Sequence, residues 1–223
     1  MIEIKNFSRL SKLDEELANI FLTNLLNNKK ILVSGGKSFR SMFKQINFDK
    51  LNIKKINISL TDERIVSISS NKSNQKYLIK LLSNKLNNKI FDSFFLNINN
   101  MSHKEILSSA NHKRRINTPN IAFIGVGLDG HIASIFEDSK KILNSGYFSI
   151  IKKSDEKFFR VTHTIHSLLQ VPNIILVFRG KNKSRMFYSK IFSLEKNVSK
   201  YKNIKIVKSF IKSYKGNLLI LTS

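Results

Sequence analysis

Two hydrophobic periods alternate along this chain. Leu10, Leu13, Leu17, Ile20, Phe21 and Leu25 share one face of a helix predicted over Leu10–Leu26. Asp14, Glu15 and Glu16 lie in its first half, where the helix dipole favours acids. A short apolar run, Ile31–Val33, then reads as a buried strand that breaks at Ser34-Gly35-Gly36-Lys37-Ser38. Helical spacing returns with Phe39, Met42, Phe43 and Ile46. The pattern repeats: strand Ile56–Leu60, a helix opening at Ser73-Asn74-Gln75 with Tyr77, Leu78, Leu81 and Leu82 apolar, strand Phe94–Ile98, basic helix Lys104–Arg115, and strand Ile121–Ile124. A short helix is expected after Gly130 and His131, and Phe158–Thr164 alternates at period two. Ile165–Val171 reads as a short helix and Asn173–Gly180 as a buried strand. An amphipathic helix with Met186, Phe187 and Ile191 follows, then a helix near Ser209–Tyr214 and a last strand, Leu218–Leu221. Strands alternating with helices predict an α/β fold, a mostly parallel sheet with helices on both faces. With no repeat, linker or compositional break, residues 1–223 are expected to form a single domain.

The stretch Asn120–Glu137 carries the strongest chemical signal. Its strand runs into Gly125-Val126-Gly127-Leu128-Asp129-Gly130-His131, so a carboxylate and an imidazole sit on one tight turn at a strand's carboxyl end. Open α/β sheets place ligands there, and this pair is suited to general acid–base chemistry near neutral pH. The spacing Gly125-x-Gly127-x-x-Gly130 also fits a dinucleotide-binding turn. Against that reading, the motif lies mid-chain, Asp129 adds negative charge where a pyrophosphate would bind, and no acid ends a hydrophobic strand at the required distance downstream. Strand, glycine loop and helix at Ser34–Ser38 is the arrangement that offers free backbone N–H groups to an anion, although the spacing is not that of a Walker A loop. Thr61-Asp62-Glu63-Arg64 gathers two acids and an arginine at another strand end.

Composition narrows the classes. No apolar run of about 18 residues exists to span a membrane, the N-terminus lacks an apolar secretory core, and there is no Cys for disulfides or thiolate metal sites. A cytoplasmic setting is the resulting expectation. The net charge of +24 invites a nucleic-acid reading, yet the basic residues are spread in pairs such as Lys29-Lys30, Lys140-Lys141 and Lys152-Lys153, and form no arm or recognised motif. A positive field would also favour capture of a small anion.

Taken together, SGGKS, LTDERIV with SNQKYL, GVGLDGHIASIF, RVTHT and a strand ending in Gly180-Lys181-Asn182-Lys183 occur in the order of one family. The sequence resembles the 6-phosphogluconolactonases, within a superfamily that also contains glucosamine-6-phosphate deaminase. The resemblance covers nearly the whole chain. It implies a Rossmann-like fold, no cofactor and no metal, and hydrolysis of 6-phospho-D-glucono-1,5-lactone. His131 matches the family's catalytic base. Asp62 would orient that base or the substrate hydroxyls, Arg64 would hold substrate or the developing oxyanion, and Asp129 belongs to the same catalytic group. Phosphate would lie against Ser34, Gly35, Gly36, Lys37 and Ser38, with Gly127, Arg160 and Lys183. The implied partner is a small sugar-phosphate lactone, without membrane or nucleic acid, and a monomer is favoured. The chain departs from the family pattern in lacking the loop proline after SGG and any Trp, and in having Glu137 and His163 where proline and leucine are usual. An amino-sugar phosphate deaminase would carry an aromatic residue after Asp-Glu and a glutamate five positions past the histidine; Arg64 and Phe136 stand there instead. A non-enzymatic basic binder would bind without turnover and lose affinity steeply with salt.

Overall fold

The computed structural model describes residues 1–48, 55–83, 90–92, 98–137, 146–192 and 203–223. In chain order the strands are β1 (Ile2–Asn6), β2 (Ile31–Val33), β3 (Lys55–Leu60), β4 (Asp62–Arg64), β5 (Ile90–Asp92), β6 (Ile121–Gly125), β7 (Phe148–Lys152), β8 (Phe159–His163), β9 (Asn173–Phe178) and β10 (Asn217–Thr222). The helices are α1 (Leu10–Leu26), α2 (Arg40–Gln45), α3 (Asn74–Ser83), α4 (His103–Ile116), α5 (Ile165–Leu169), α6 (Lys181–Met186) and α7 (Ile204–Ser213).

Side-chain alternation explains the near-continuous apolar strands. On β2, Ile31 and Val33 enter one core and Leu32 the other; on β6, Ile121 and Phe123 part from Ala122 and Ile124 in the same way. Ile175 and Val177 of β9 likewise oppose Ile174, Leu176 and Phe178. A strand buried on both faces must be apolar at every position. The first core is closed by α1 through Leu13, Leu17, Phe21 and Leu25, with Met42, Phe43, Leu78, Ile106 and Ala110 from the next three helices. The second is closed by Leu168, Met186, Ile206, Val207 and Phe210 from α5, α6 and α7. Local signals set the helix ends too: Ser102 accepts from the Glu105 N–H while the Glu105 carboxylate accepts from the Ser102 N–H, a reciprocal cap on α4.

The seven-stranded sheet is ordered β1-β10-β9-β6-β2-β3-β5, with each neighbouring pair parallel. From β2 the chain moves outward to β3 and β5, then returns to β6 and moves the other way to β9 and β10. The carboxyl ends of β2 and β6 therefore flank a topological switch point, where loops diverge and leave a crevice. The two glycine-rich loops singled out in the sequence follow these two strands.

A second, antiparallel sheet ordered β4-β8-β7 stands beside this end. Only Thr61 separates β3 from β4, and its backbone is held by both sheets: its N–H donates to the Val33 carbonyl at 3.1 Å and its carbonyl accepts from the His163 N–H at 3.0 Å. Asp62–Arg64 is thereby a strand, not the loop its polarity implies. His163 is fully buried against Phe148 and 2.8 Å from the Ser167 hydroxyl; burial, with Arg114 nearby, pushes it well below the usual histidine range, so it is a neutral core side chain.

Other expectations change. Residues 131–137 form turns, with Ala133 at φ +50°, and not a short helix. The expected strand Phe94–Ile98 lies outside the described residues except for Ile98, which opens a 3₁₀ turn; the neighbouring strand is Ile90–Asp92. The side chains of Leu81 and Leu82 also lie outside the described residues, as do Lys140 and Lys141. The amphipathic helix from Lys181 becomes π-helical over Phe187–Phe192. Among the described residues, no helix is long and apolar enough to cross a membrane.

Candidate functional site

The turn after β6 brings Asp129 and His131 together. His131 Nδ1 lies 2.5 Å from Asp129 Oδ1, and the His131 backbone N–H donates to the same oxygen at 3.3 Å. Burial pushes the Asp129 carboxyl up. That is outweighed by the hydrogen bond and charge of the His131 ring, the His131 N–H and the Asn203 amide, which hold it at about 2. An ionised carboxylate can only accept, so Nδ1 carries a proton, and in the neutral ring Nε2 is the nitrogen with the lone pair. Sequence reasoning let Asp62 orient either this base or the substrate hydroxyls; the contact to the ring is made by Asp129. Phe136 closes the other side of the imidazole, with ring centroids 4.9 Å apart.

Gly127 is required by this packing. A Cβ built there would lie 2.3 Å from the His131 ring and 2.6 Å from Asp129 Oδ1. Gly127→Ala is expected to push the imidazole aside and lower turnover by about 100-fold, the usual cost of a displacement near 1 Å. Turnover and thermal melting measured together check this: a large loss of rate with little loss of melting temperature is expected.

The loop after β2 divides into bracing and open parts. The Ser34 hydroxyl accepts from the Gly125 N–H at 3.3 Å and lies 3.1 Å from the Thr61 hydroxyl, while its backbone N–H donates to Phe123. It ties three strand ends together. Gly35 fits closely under Asn74, whose Cβ would be 2.4 Å from an added Cβ. Around Gly36 that position is open space. Ser38 packs against Gly125, and a 3₁₀ turn over Lys37–Phe39 leads into α2; the Lys37 side chain lies outside the described residues.

Asp62, Glu63 and Arg64 do three separate jobs. Asp62 is buried, with Oδ1 3.0 Å from the Thr61 hydroxyl and Oδ2 accepting from the Ser134 hydroxyl at 2.5 Å. Glu63, which sequence reasoning left without a role, caps α3. It accepts from the N–H groups of Arg64, Asn74 and Gln75 and from the Ser73 hydroxyl. A carboxylate there meets the positive end of the helix and its unpaired N–H groups; burial pushes its pKa up and these bonds pull it down, burial winning. Arg64 Nη1 donates to Asn74 Oδ1 at 2.7 Å and to the Lys72 carbonyl at 2.9 Å. Asn74 in turn donates to the Asp62 carbonyl. The DER and SN motifs are thus one interlocked brace.

Arg160 departs most from expectation. It is buried, its Nε and Nη2 grip Glu156 at 2.7 and 2.5 Å, and Nη1 donates to Ser134 Oγ at 3.2 Å with Asp62 Oδ2 3.8 Å away. The Nε/Nη2 edge of its guanidinium is thus filled by a carboxylate, and Nη1 is turned to Ser134. Lys183 remains. Gly180, at φ +90°, precedes α6, which carries Lys183; burial lowers the Lys183 pKa, with Asp129 raising and Arg179 lowering it. Arg179 itself is locked, bidentate to the buried Asp14 of α1 and 3.2 Å from Ser41 Oγ. Among the described residues, Lys183 has no hydrogen-bonded or ion-paired partner for its ammonium, and it sits within electrostatic reach of the Asp129–His131 pair.

The site thus pairs an oriented imidazole with a glycine loop open at Gly36 and with Lys183, and the chain that builds it is similar to known proteins. A family model described as glucosamine-6-phosphate isomerases/6-phosphogluconolactonase matches residues 11–208. The 6-phosphogluconolactonase of Helicobacter pylori strain J99 is 29% identical over 189 residues, 82% of this chain and 82% of that protein. The crystal structure of 6-phosphogluconolactonase from Thermotoga maritima is similar at a TM-score of 0.77 and 19% identity, covering 100% of each chain. A monomeric glucosamine-6-phosphate deaminase is similar at a TM-score of 0.71 and 14% identity, covering 99% of this chain and 97% of that one. The structural likenesses establish the shared fold, and the family model extends from α1 into α7, taking in both glycine loops, DER and the Asp129–His131 turn: the chain belongs to the glucosamine-6-phosphate isomerase/6-phosphogluconolactonase family.

Proposed function

We propose that this protein is a 6-phosphogluconolactonase, hydrolysing 6-phospho-D-glucono-1,5-lactone to 6-phospho-D-gluconate, the second step of the oxidative pentose phosphate pathway, in the cytoplasm. The observation that carries the reading is the Asp129–His131 pair, held at 2.5 Å on the turn after β6. Water bound at His131 Nε2 gives its proton to that nitrogen as its oxygen attacks the lactone carbonyl. The tetrahedral intermediate collapses by breaking the bond from the carbonyl carbon to the ring oxygen, which takes up the proton. Asp129 keeps the ring in the productive tautomer and stabilises the imidazolium between these steps. No step needs a cofactor or a metal.

The phosphate is assigned to the backbone N–H groups around Gly36 and Ser38 and to Lys183, with the positive net charge aiding capture. Asp62, Arg64 and Arg160 are assigned to bracing the walls of the crevice. Lys183→Ala is expected to raise KM by about 10- to 100-fold and change kcat by less than about threefold, because it holds a group remote from the bond broken. Steady-state kinetics decide it; a fall in kcat at constant KM would remove Lys183 from the phosphate site.

The deaminase reading lacks its acid. Five positions past His131 stands Phe136, its ring packed on the imidazole. The deciding experiment is hydrolysis of freshly generated 6-phosphogluconolactone, coupled to 6-phosphogluconate dehydrogenase and corrected for spontaneous opening. Acceleration proportional to enzyme, with no ammonia released from glucosamine 6-phosphate, is expected. Ammonia release without lactone hydrolysis would reverse the assignment.

A further inference from the structure

Asn203 stands at the N-cap position of α7, where an asparagine ordinarily accepts from the first N–H groups of its own helix. Here it makes no such bond. Its side chain turns the other way: Nδ2 donates to Asp129 Oδ2 at 2.7 Å, and Oδ1 accepts from the Glu137 N–H at 2.7 Å. Its backbone N–H adds a third tie, to the Asp129 carbonyl at 2.9 Å. The residue is buried, and the first turn of α7 packs against the same loop, with Ile204 backbone atoms 2.8 Å from where a Gly130 Cβ would lie. One amide therefore grips both flanks of the turn that carries His131, and gives up the capping of its own helix to do so. Local rules are broken in this way where function needs the group elsewhere.

We infer that Asn203 is a positioning residue for the catalytic base: it fixes the Asp129 carboxylate so that Oδ1 meets His131 Nδ1 and Nε2 is left free to take the proton from water. The inference rests on the lactonase reading for its kinetic consequences, and on geometry alone for the ring tautomer. Asp129 is faced by His131 from its own turn, by Asn203 from α7 and by Lys183 from α6. Of these, Asn203 is the donor that cannot titrate, and its loss leaves Asp129 Oδ2 without its hydrogen-bonded partner.

The full-length wild type, Asn203→Leu and Asn203→Asp are compared by lactone hydrolysis and by 1H–15N spectra of the imidazole nitrogens. Asn203→Leu is expected to lower kcat by about 10- to 100-fold, as loss of a hydrogen bond to a charged group does, with KM within about twofold. Part of the His131 ring proton should move from Nδ1 to Nε2. Asn203→Asp sets two carboxylates face to face, so one of them gains a proton more readily. Its rate relative to wild type at the same pH should rise several-fold between about pH 8.5 and about pH 6, as the protonated acid becomes a donor again. A purely structural residue would leave the His131 ring proton on Nδ1 in both variants. Wild-type kcat with an unmoved ring proton in Asn203→Leu would overturn the inference, and so would a flat Asn203→Asp ratio. If Asn203→Leu does not fold, the near-isosteric Asn203→Asp decides. If wild type leaves the lactone untouched, the substrate reading falls, and the ring-proton measurement, which needs no substrate, decides the positioning role by itself.

Discussion

Replacing His131 by alanine is expected to lower kcat by about 10³- to 10⁴-fold, with KM changed by no more than about threefold. The imidazole is the side chain that both reaches solvent and is oriented by an ionised carboxylate, its side chain 29% exposed and Nδ1 tied to Asp129. Removing it deletes the proton acceptor for water but leaves the Gly36–Ser38 loop and Lys183 in place, so affinity for the phosphate end should survive. The fold should survive as well. His131 is a partly exposed residue on a turn, and neither hydrophobic core contains it. The coupled assay must subtract spontaneous lactone opening, and competition by 6-phosphogluconate gives an independent measure of binding. A variant within tenfold of wild type would remove His131 from the mechanism.

The parallel sheet was legible because its central strands are buried on both faces. Ile31–Val33 and Ile121–Ile124 read as strands in the sequence and are strands in the structure, and Leu10–Leu26 is a helix over the residues its periodicity marks. Elements without a buried face were silent. β1 is an edge strand whose side chains are almost all exposed, Ile2 at 53%, so its alternation carries no core signal. β4 is three polar residues, recruited as a strand by pairing Asp62 with Thr162 and Arg64 with Arg160. The turn at 131–137 misled in the opposite sense. Ile132, Ala133, Ile135 and Phe136 have the spacing of a helical face and all are buried, but they fold back through a positive φ at Ala133. The early part of α7 was missed because Ile204, Ile206 and Val207 are β-branched; packing into the second core, not propensity, makes them helical.

For the site, sequence order revealed which residues gather and not which touch. Asp129 and His131 are two positions apart, and their pairing is local enough to be read from the turn. The partners of Asp62, by contrast, come from Ser134 and Arg160 on other elements. Arg160 looked free because its partner Glu156 lies before β8, at a spacing that means a neighbour on a helix but nothing definite on a loop leading into a strand. Asn203 left no signal, being separated from Asp129 by 74 positions and lying at the start of a helix where asparagine needs no explanation. Motifs thus marked the strand ends that gather, while the hydrogen bonds show which of their polar residues are tied to the protein.

That distinction makes Asp129→Asn more informative than Asp129→Ala. The carboxylate serves two donors at once, His131 Nδ1 through Oδ1 and Asn203 Nδ2 through Oδ2. An asparagine has one acceptor oxygen and one donor nitrogen. If the oxygen stays with Asn203, the amide nitrogen faces Nδ1 and forces the ring proton onto Nε2, where it blocks the base. If the oxygen turns to His131, two donors collide at Asn203. The first arrangement costs less, so Asp129→Asn is expected to lower kcat by about 10³- to 10⁴-fold, as a wrong tautomer does in hydrolases that depend on a carboxylate-oriented histidine. Asp129→Ala leaves the ring free to sample both tautomers and should lose less, by about tenfold. Neither change alters the glycine loop, and toward Lys183 each removes only the charge of Asp129, so KM should stay within about threefold in both. The order of the two variants is the test: equal losses would mean that Asp129 acts through its charge alone, alanine slower than asparagine would overturn the tautomer argument, and rates near wild type in both would take the pair out of the mechanism.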